Sequence, residues 1–182
     1  MFMKVPLIGD AGFVQGWIDR KLQTLSATLD VLEKLPNPHV AYYLLKQAGG
    51  VCRVLFWMRT MPRDMVGDLF LKFDARQRSV FEKLGGGTLT DGQWELAQLP
   101  IRLGGCGVRG AEMGAEAAHV MSRAMTREAC STLDREFIGE GEVEGEAACG
   151  LGAAVQRLNG QLLEVQATGE AGTCTYEQVD RK

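Results

Sequence analysis

Six cations in the first half of this chain have the spacing of a phosphate-binding stripe. Lys46 and Arg53 stand seven residues apart and so share a helical face, Arg59 and Arg63 flank the turn that follows, and Lys72 and Arg76 stand four apart on the next helical stretch. Guanidinium groups grip phosphate oxygens in pairs, while an ammonium acts as a point charge, so the set would suit a nucleic-acid backbone. The competing reading is an ordinary solvated face neutralised by Asp64, Asp68, Asp74 and Glu82. Trp17, Trp57 and Trp94 would offer platforms for unpaired bases, but each lies in an apolar helical stripe, where burial is the expectation.

Covalent and metal chemistry find little support. Asp64 and Asp68 stand i,i+4 and could share a cation, yet Asp64 falls in the first turn of its helix, where a negative charge already complements the macrodipole. Ser26, Ser79, Ser122 and Ser131 lack the strained elbow of a hydrolase nucleophile. The five cysteines are scattered, odd in number and without a C-x-x-C pair, and only His39 and His119 could join them, so neither a zinc site nor a disulfide framework is expected and an intracellular compartment fits best. Gly85-Gly86-Gly87 and Gly104-Gly105 read as turns, since neither belongs to a phosphate-cradling G-x-x-x-x-G-K-[ST] loop. No catalytic residue, metal ligand or cofactor is therefore predicted.

The elements that must position the cations are helices. Ile18, Leu22, Leu25, Leu29 and Leu32 recur at threes and fours and predict a helix over 13–35, ended by Pro36. A second is expected over about 39–60, its main face Val40, Leu44, Val51, Leu55 and Met58, with a kink at Gly49-Gly50. A third, about 62–84, would turn Met65, Leu69, Phe73, Val80 and Leu84 inward and stop at the triple glycine. Thr90 or Asp91 should cap a short fourth helix running through Trp94 to Gln98. A fifth, about 111–137, would bury Met113, Ala117, Val120, Met121, Ala124 and Met125. From Gly139 to Glu146 the acidic, glycine-rich run reads as a linker, followed by a marginal helix over 147–167. No stretch approaches the ~20 apolar residues of a membrane span, so no membrane partner is expected. The net charge is -3, but residues 1–127 carry 16 Lys+Arg against 12 Asp+Glu while residues 128–182 carry 4 against 11, which places any basic surface in the first part.

Three segments together resemble the non-LTR retrotransposon reverse transcriptases: Val5-Pro6-Leu7-Ile8-Gly9-Asp10, Trp57-Met58-Arg59-Thr60-Met61-Pro62, and Leu99-Pro100-Ile101-Arg102-Leu103-Gly104-Gly105-Cys106-Gly107-Val108-Arg109. Their order and approximate spacing follow that family over about residues 5–125. Gly9, Pro62, Pro100, Gly104, Gly105, Gly107 and Arg109 carry the match, with Cys106 and Val108 standing where the family has leucines. Met3-Lys4 stands where the family commonly has Leu-Gly. The resemblance implies a thumb and post-palm region that lies beside template and primer. The catalytic palm would precede Met1: the chain has no Asp-Asp pair and no Tyr-x-Asp-Asp box to hold the metal ions of nucleotide transfer.

The fold expected is mostly α: a multi-helix bundle with a short extended segment over 1–12, a helical thumb-like domain over 13–137 and a weakly ordered acidic tail over 138–182. The function expected is non-catalytic contact with a template–primer duplex. The alternative is a helical protein-interaction module whose partner is a polymerase palm or another chain.

Overall fold

The computed structural model describes residues 11–133 and 154–161, and among these the regular elements are all helices, without a strand. The predicted mostly α, multi-helix fold is the fold observed. Helix α1 spans Ala11–Glu33, α2 Pro38–Leu44, α3 Leu55–Thr60, α4 Arg63–Gly85, α5 Asp91–Gln98 and α6 Glu112–Leu133. Residues 154–161 are also helical. None of these helices is long and apolar enough to cross a membrane.

The described residues fall into two compact units, one within Met1–Trp57 and Met65–Gly114, the other within Met58–Asp64 and Ala115–Lys182. In the first, α1 buries Trp17, Ile18, Leu25 and Leu29, and α4 buries Val66, Leu69, Phe70, Phe73 and Val80 at helical spacing. A satellite core of Trp94, Ala97 and Val108 collects Tyr42, Phe81 and Leu89 around it. In the second, Val120 on α6 packs with Ala154 and Leu158.

Local signals explain most boundaries. Asn37 caps α2 by accepting from the backbone of His39 and Val40 at 3.0 and 3.2 Å, with Pro38 at the first helical position. Thr90 and Gln93 form a reciprocal capping box on α5, which runs over the span that the sequence predicts.

The expected single helix over 39–60 is instead broken into four pieces. After α2 the chain opens into a π-helical turn, Leu45–Gly49, becomes extended at Gly50, makes a 3-10 turn at Val51–Arg53 and only then resumes as α3. The break lies against α1: a β-carbon at Gly49 would stand 2.7 Å from Leu32 Cδ1 and 3.6 Å from Leu29 Cδ2, so the side chains of α1 pack over this glycine. The break rotates the faces. Ala41, Leu45, Val54 and Met58 are buried, while Val40 and Leu55 are exposed, against expectation. Met65 is likewise exposed and its neighbour Val66 takes the inward place.

Helix α6 departs further from its predicted face. Met113, Met121 and Met125 are exposed, and the inward stripe is Ala115, Glu116, His119 and Val120. Two of those four are ionisable, which is why a hydrophobic pattern missed them. Glu116 is fully buried and receives the Arg157 guanidinium, which also lies 3.0 Å from Asp64. Residues 11 and 12 belong to α1 rather than to an extended segment. Residues 1–10, Gly9 among them, lie outside the described residues, as do 134–137 and the acidic run at 139–146.

Candidate nucleic-acid interface

The segment that follows α5 folds back onto the helix it leaves. Cys106 and Val108 donate backbone N–H groups to the Ala97 carbonyl at 3.0 and 3.4 Å, and Gly107 donates to that of Leu99 at 2.8 Å, so the carbonyls left over at the end of α5 are satisfied by its own continuation. Two glycines are required for this. A β-carbon at Gly105 would sit 2.1 Å from the Leu99 carbonyl oxygen, and Gly107 holds φ at +71°. The Tyr42 hydroxyl donates to the Cys106 carbonyl from α2, and buried Val108 anchors the segment in the satellite core.

The next residues are held by α4. Both carboxylate oxygens of Asp74 accept backbone N–H groups, from Ala111 at 2.8 Å and Glu112 at 2.9 Å, so the start of α6 is capped by a residue of another helix. Burial pushes the Asp74 carboxyl up to about 6, against the pull of the Ala111 N–H.

This arrangement encloses a cavity of about 280 Å³ lined by residues of the π turn, of α4 and of the glycine-rich segment. Lys46 reaches into it across Gly107, where a β-carbon would stand 3.3 Å from its Cε and 3.4 Å from its Nζ. Arg109 also lines it, together with Pro100, Ile101 and Val108 of the same segment. No Asp or Glu lines the cavity, and neither cation has an ion pair among the described residues. Gln77 completes the lining. It is 1 % exposed, and among the described residues no group hydrogen-bonds either its amide oxygen or its amide nitrogen.

The six stripe cations are thus sorted by their surroundings. Lys46 belongs to the cavity together with Pro100, Gly107 and Arg109 of the family-like segment. Arg53 is exposed, with a 3.3 Å contact to the Thr28 hydroxyl, and Arg59 is exposed in the second unit. Arg63 lies 3.9 Å from Glu116 in the second unit, and Lys72 lies 3.6 Å from Asp68 along α4. Arg76 is committed to structure: it bridges Asp30 and Glu33 of α1, the latter at 2.9 Å, and these hydrogen bonds raise its pKa while lowering that of Glu33. It is therefore not a free phosphate ligand. Asp64 and Asp68 are each matched to a cation, Arg157 and Lys72. Pro62 lies between α3 and α4, and Gly104 takes the left-handed cap of the 3-10 turn Ile101–Leu103. Trp17 and Trp94 are buried as expected. Trp57 stands edge-on to Trp17 with Lys21 Nζ 5.7 Å from its ring centre.

Sequence reasoning missed Gln77. The signal was present, since Phe73, Gln77 and Val80 continue one apolar stripe of α4 with a polar residue in its middle. An amide buried without a protein partner lowers stability by about 1–3 kcal/mol, whereas an apolar side chain of similar shape does not. Gln77→Met is accordingly expected to stabilise the chain by about 1–2 kcal/mol, read as a higher urea midpoint at unchanged slope. A lower midpoint would show that the amide is already satisfied.

Comparison with protein-family models, curated proteins and solved structures finds no match to this chain.

Proposed function

We propose that this chain is a non-catalytic helical module that contacts nucleic acid, in the manner of the thumb and post-palm region that its sequence resembles. The observation that carries the reading is that Lys46 and Arg109 line one cavity with no carboxylate beside them among the described residues. Two cations left unneutralised beside backbone held open by glycine form a setting in which phosphate oxygens replace water at little structural cost.

The test is binding of a DNA duplex by the full chain over a range of salt concentrations. The logarithm of affinity should fall linearly with the logarithm of salt, by about 0.9 per phosphate neutralised. Lys46→Ala and Arg109→Ala should each flatten that slope by about one contact. Unchanged slopes in both variants would sink the proposal.

A second reading has its own observation. Leu96, Ile101 and Leu103 are each 61 % exposed, and Leu99 is also exposed, so the segment that offers Arg109 displays four large apolar side chains. A polymerase palm or another protein chain packing there would make the module an interaction surface. Leu96→Asp with Leu103→Asp, two residues outside the cavity lining, should then abolish self-association or partner capture while leaving the salt slope intact. Partner capture with no salt-sensitive DNA binding in the parent would favour this second reading over the first.

A further inference from the structure

Gln77 presents a problem that phosphate alone does not solve. Its amide carries both a donor and an acceptor, each without a partner among the described residues, in the lining of the cavity that holds Lys46 and Arg109. A phosphate accepts from the amide nitrogen but leaves the oxygen unmet. The edge of a nucleobase answers both, because adjacent donor and acceptor groups are what a side-chain amide pairs with, as in the bidentate contact of Gln to adenine.

The remaining lining fits the same ligand. Val51, Pro100, Ile101 and Val108 supply apolar lining for a flat ring, and the same lining includes two cations to meet an attached phosphate. Gly50 keeps the amide approachable: a β-carbon there would stand 3.2 Å from Gln77 Nε2. At about 280 Å³ the space lies just under the roughly 300–1,000 Å³ of drug-sized sites, which suits one nucleotide and not a stacked pair. A base still paired within a duplex is held in its stack and cannot enter such a recess. A peptide amide would meet Gln77 equally well, but it brings no charge for Lys46 and Arg109.

We infer that the cavity takes one unpaired nucleotide, its base edge on the Gln77 amide and its phosphate between Lys46 and Arg109. This rests on the nucleic-acid reading above and adds to it a preference for strand ends or single strands over continuous duplex.

The experiment compares three probes on the full chain: a blunt DNA duplex, the same duplex with one unpaired 3′ adenosine, and the same duplex with an abasic residue in that place. The adenosine overhang should bind about tenfold more tightly than the other two, the effect of one bidentate amide–base contact. Gln77→Met should erase that preference and leave the salt slope unchanged, whereas Lys46→Ala and Arg109→Ala should weaken all three probes. The side-chain amide resonance of Gln77 in the parent gives a measurement independent of the variant's folding. It should move on addition of AMP and stay in place with ribose 5-phosphate or inorganic phosphate. Equal affinity for the three probes, or a preference that survives Gln77→Met, overturns this inference and leaves the nucleic-acid reading standing. Absence of any salt-sensitive binding removes that reading, and this inference with it.

Discussion

Arg157→Met is expected to destabilise the second unit by about 3–5 kcal/mol, the penalty for leaving a buried charge without its partner. Glu116 is fully buried, and the Arg157 guanidinium is the group that meets its Oε1 most closely, with Arg63 more distant at 3.9 Å. Its other oxygen, Oε2, has no hydrogen-bond partner among the described residues, so little there remains to support the charge once Arg157 is gone. Hydrogen exchange along α6 is the direct measurement, with amides from Ala115 to Val120 losing protection first. The double replacement Glu116→Met with Arg157→Met should recover most of the loss, because an apolar pair of similar volume avoids both desolvation penalties. A single Arg157→Met variant with unchanged protection would mean that Glu116 is not held by this ion pair.

Asp74→Ala should lower stability by about 2–4 kcal/mol, since it strips the partner from two backbone N–H groups at the start of α6. The same residue makes a pH prediction with a definite sign. Its carboxyl is raised to about 6 in the folded chain, whereas the unfolded chain titrates it near the usual value of about 4. Between those values the folded state keeps a proton that the unfolded state has released. The contribution is therefore fully present below the ordinary carboxylate range and is lost as pH rises through about 6. Glu33 and Glu82, whose pKa values are lowered by their partners, act in the opposite sense but are common to parent and variant. The stability difference between the parent and Asp74→Asn should thus narrow as pH rises from about 4 to about 7. A difference that stays flat would refute the assignment.

What could be read from the sequence was what is decided locally. The capping box at Thr90 and Gln93, the leucine stripe of α1 and the burial of Trp17 and Trp94 all follow from residues within a few turns of one another. The path from Tyr43 to Thr60 was not legible in the same way. A glycine pair announces a break but does not say how far the chain rotates before the helix resumes, and beyond it Met58 is buried as expected while Leu55 is exposed. The site was divided likewise. Lys46 and Arg109 were both singled out, one from a charge stripe and one from a motif, but their meeting depends on the fold-back of residues 99–109. Arg76 shows the converse, since Asp30 and Glu33 reach it from a distant helix and no spacing rule connects them.

The wide π turn at Leu45–Gly49 adds a constraint of another kind. A π turn accommodates one residue more than α-helical winding over the same rise, and such turns are often found at functional sites. Removing one residue from Gln47 or Ala48 would let α2 run on as an ordinary helix, turning the residues that follow, Gly50 and Val51 of the cavity lining among them, by about 100° relative to Lys46. A conservative exchange at either position would leave the winding intact. These two exposed positions are therefore indifferent to much of their composition but intolerant of a change in length. Single-codon deletions should be depleted there in a selection for function, even where nearly every substitution survives.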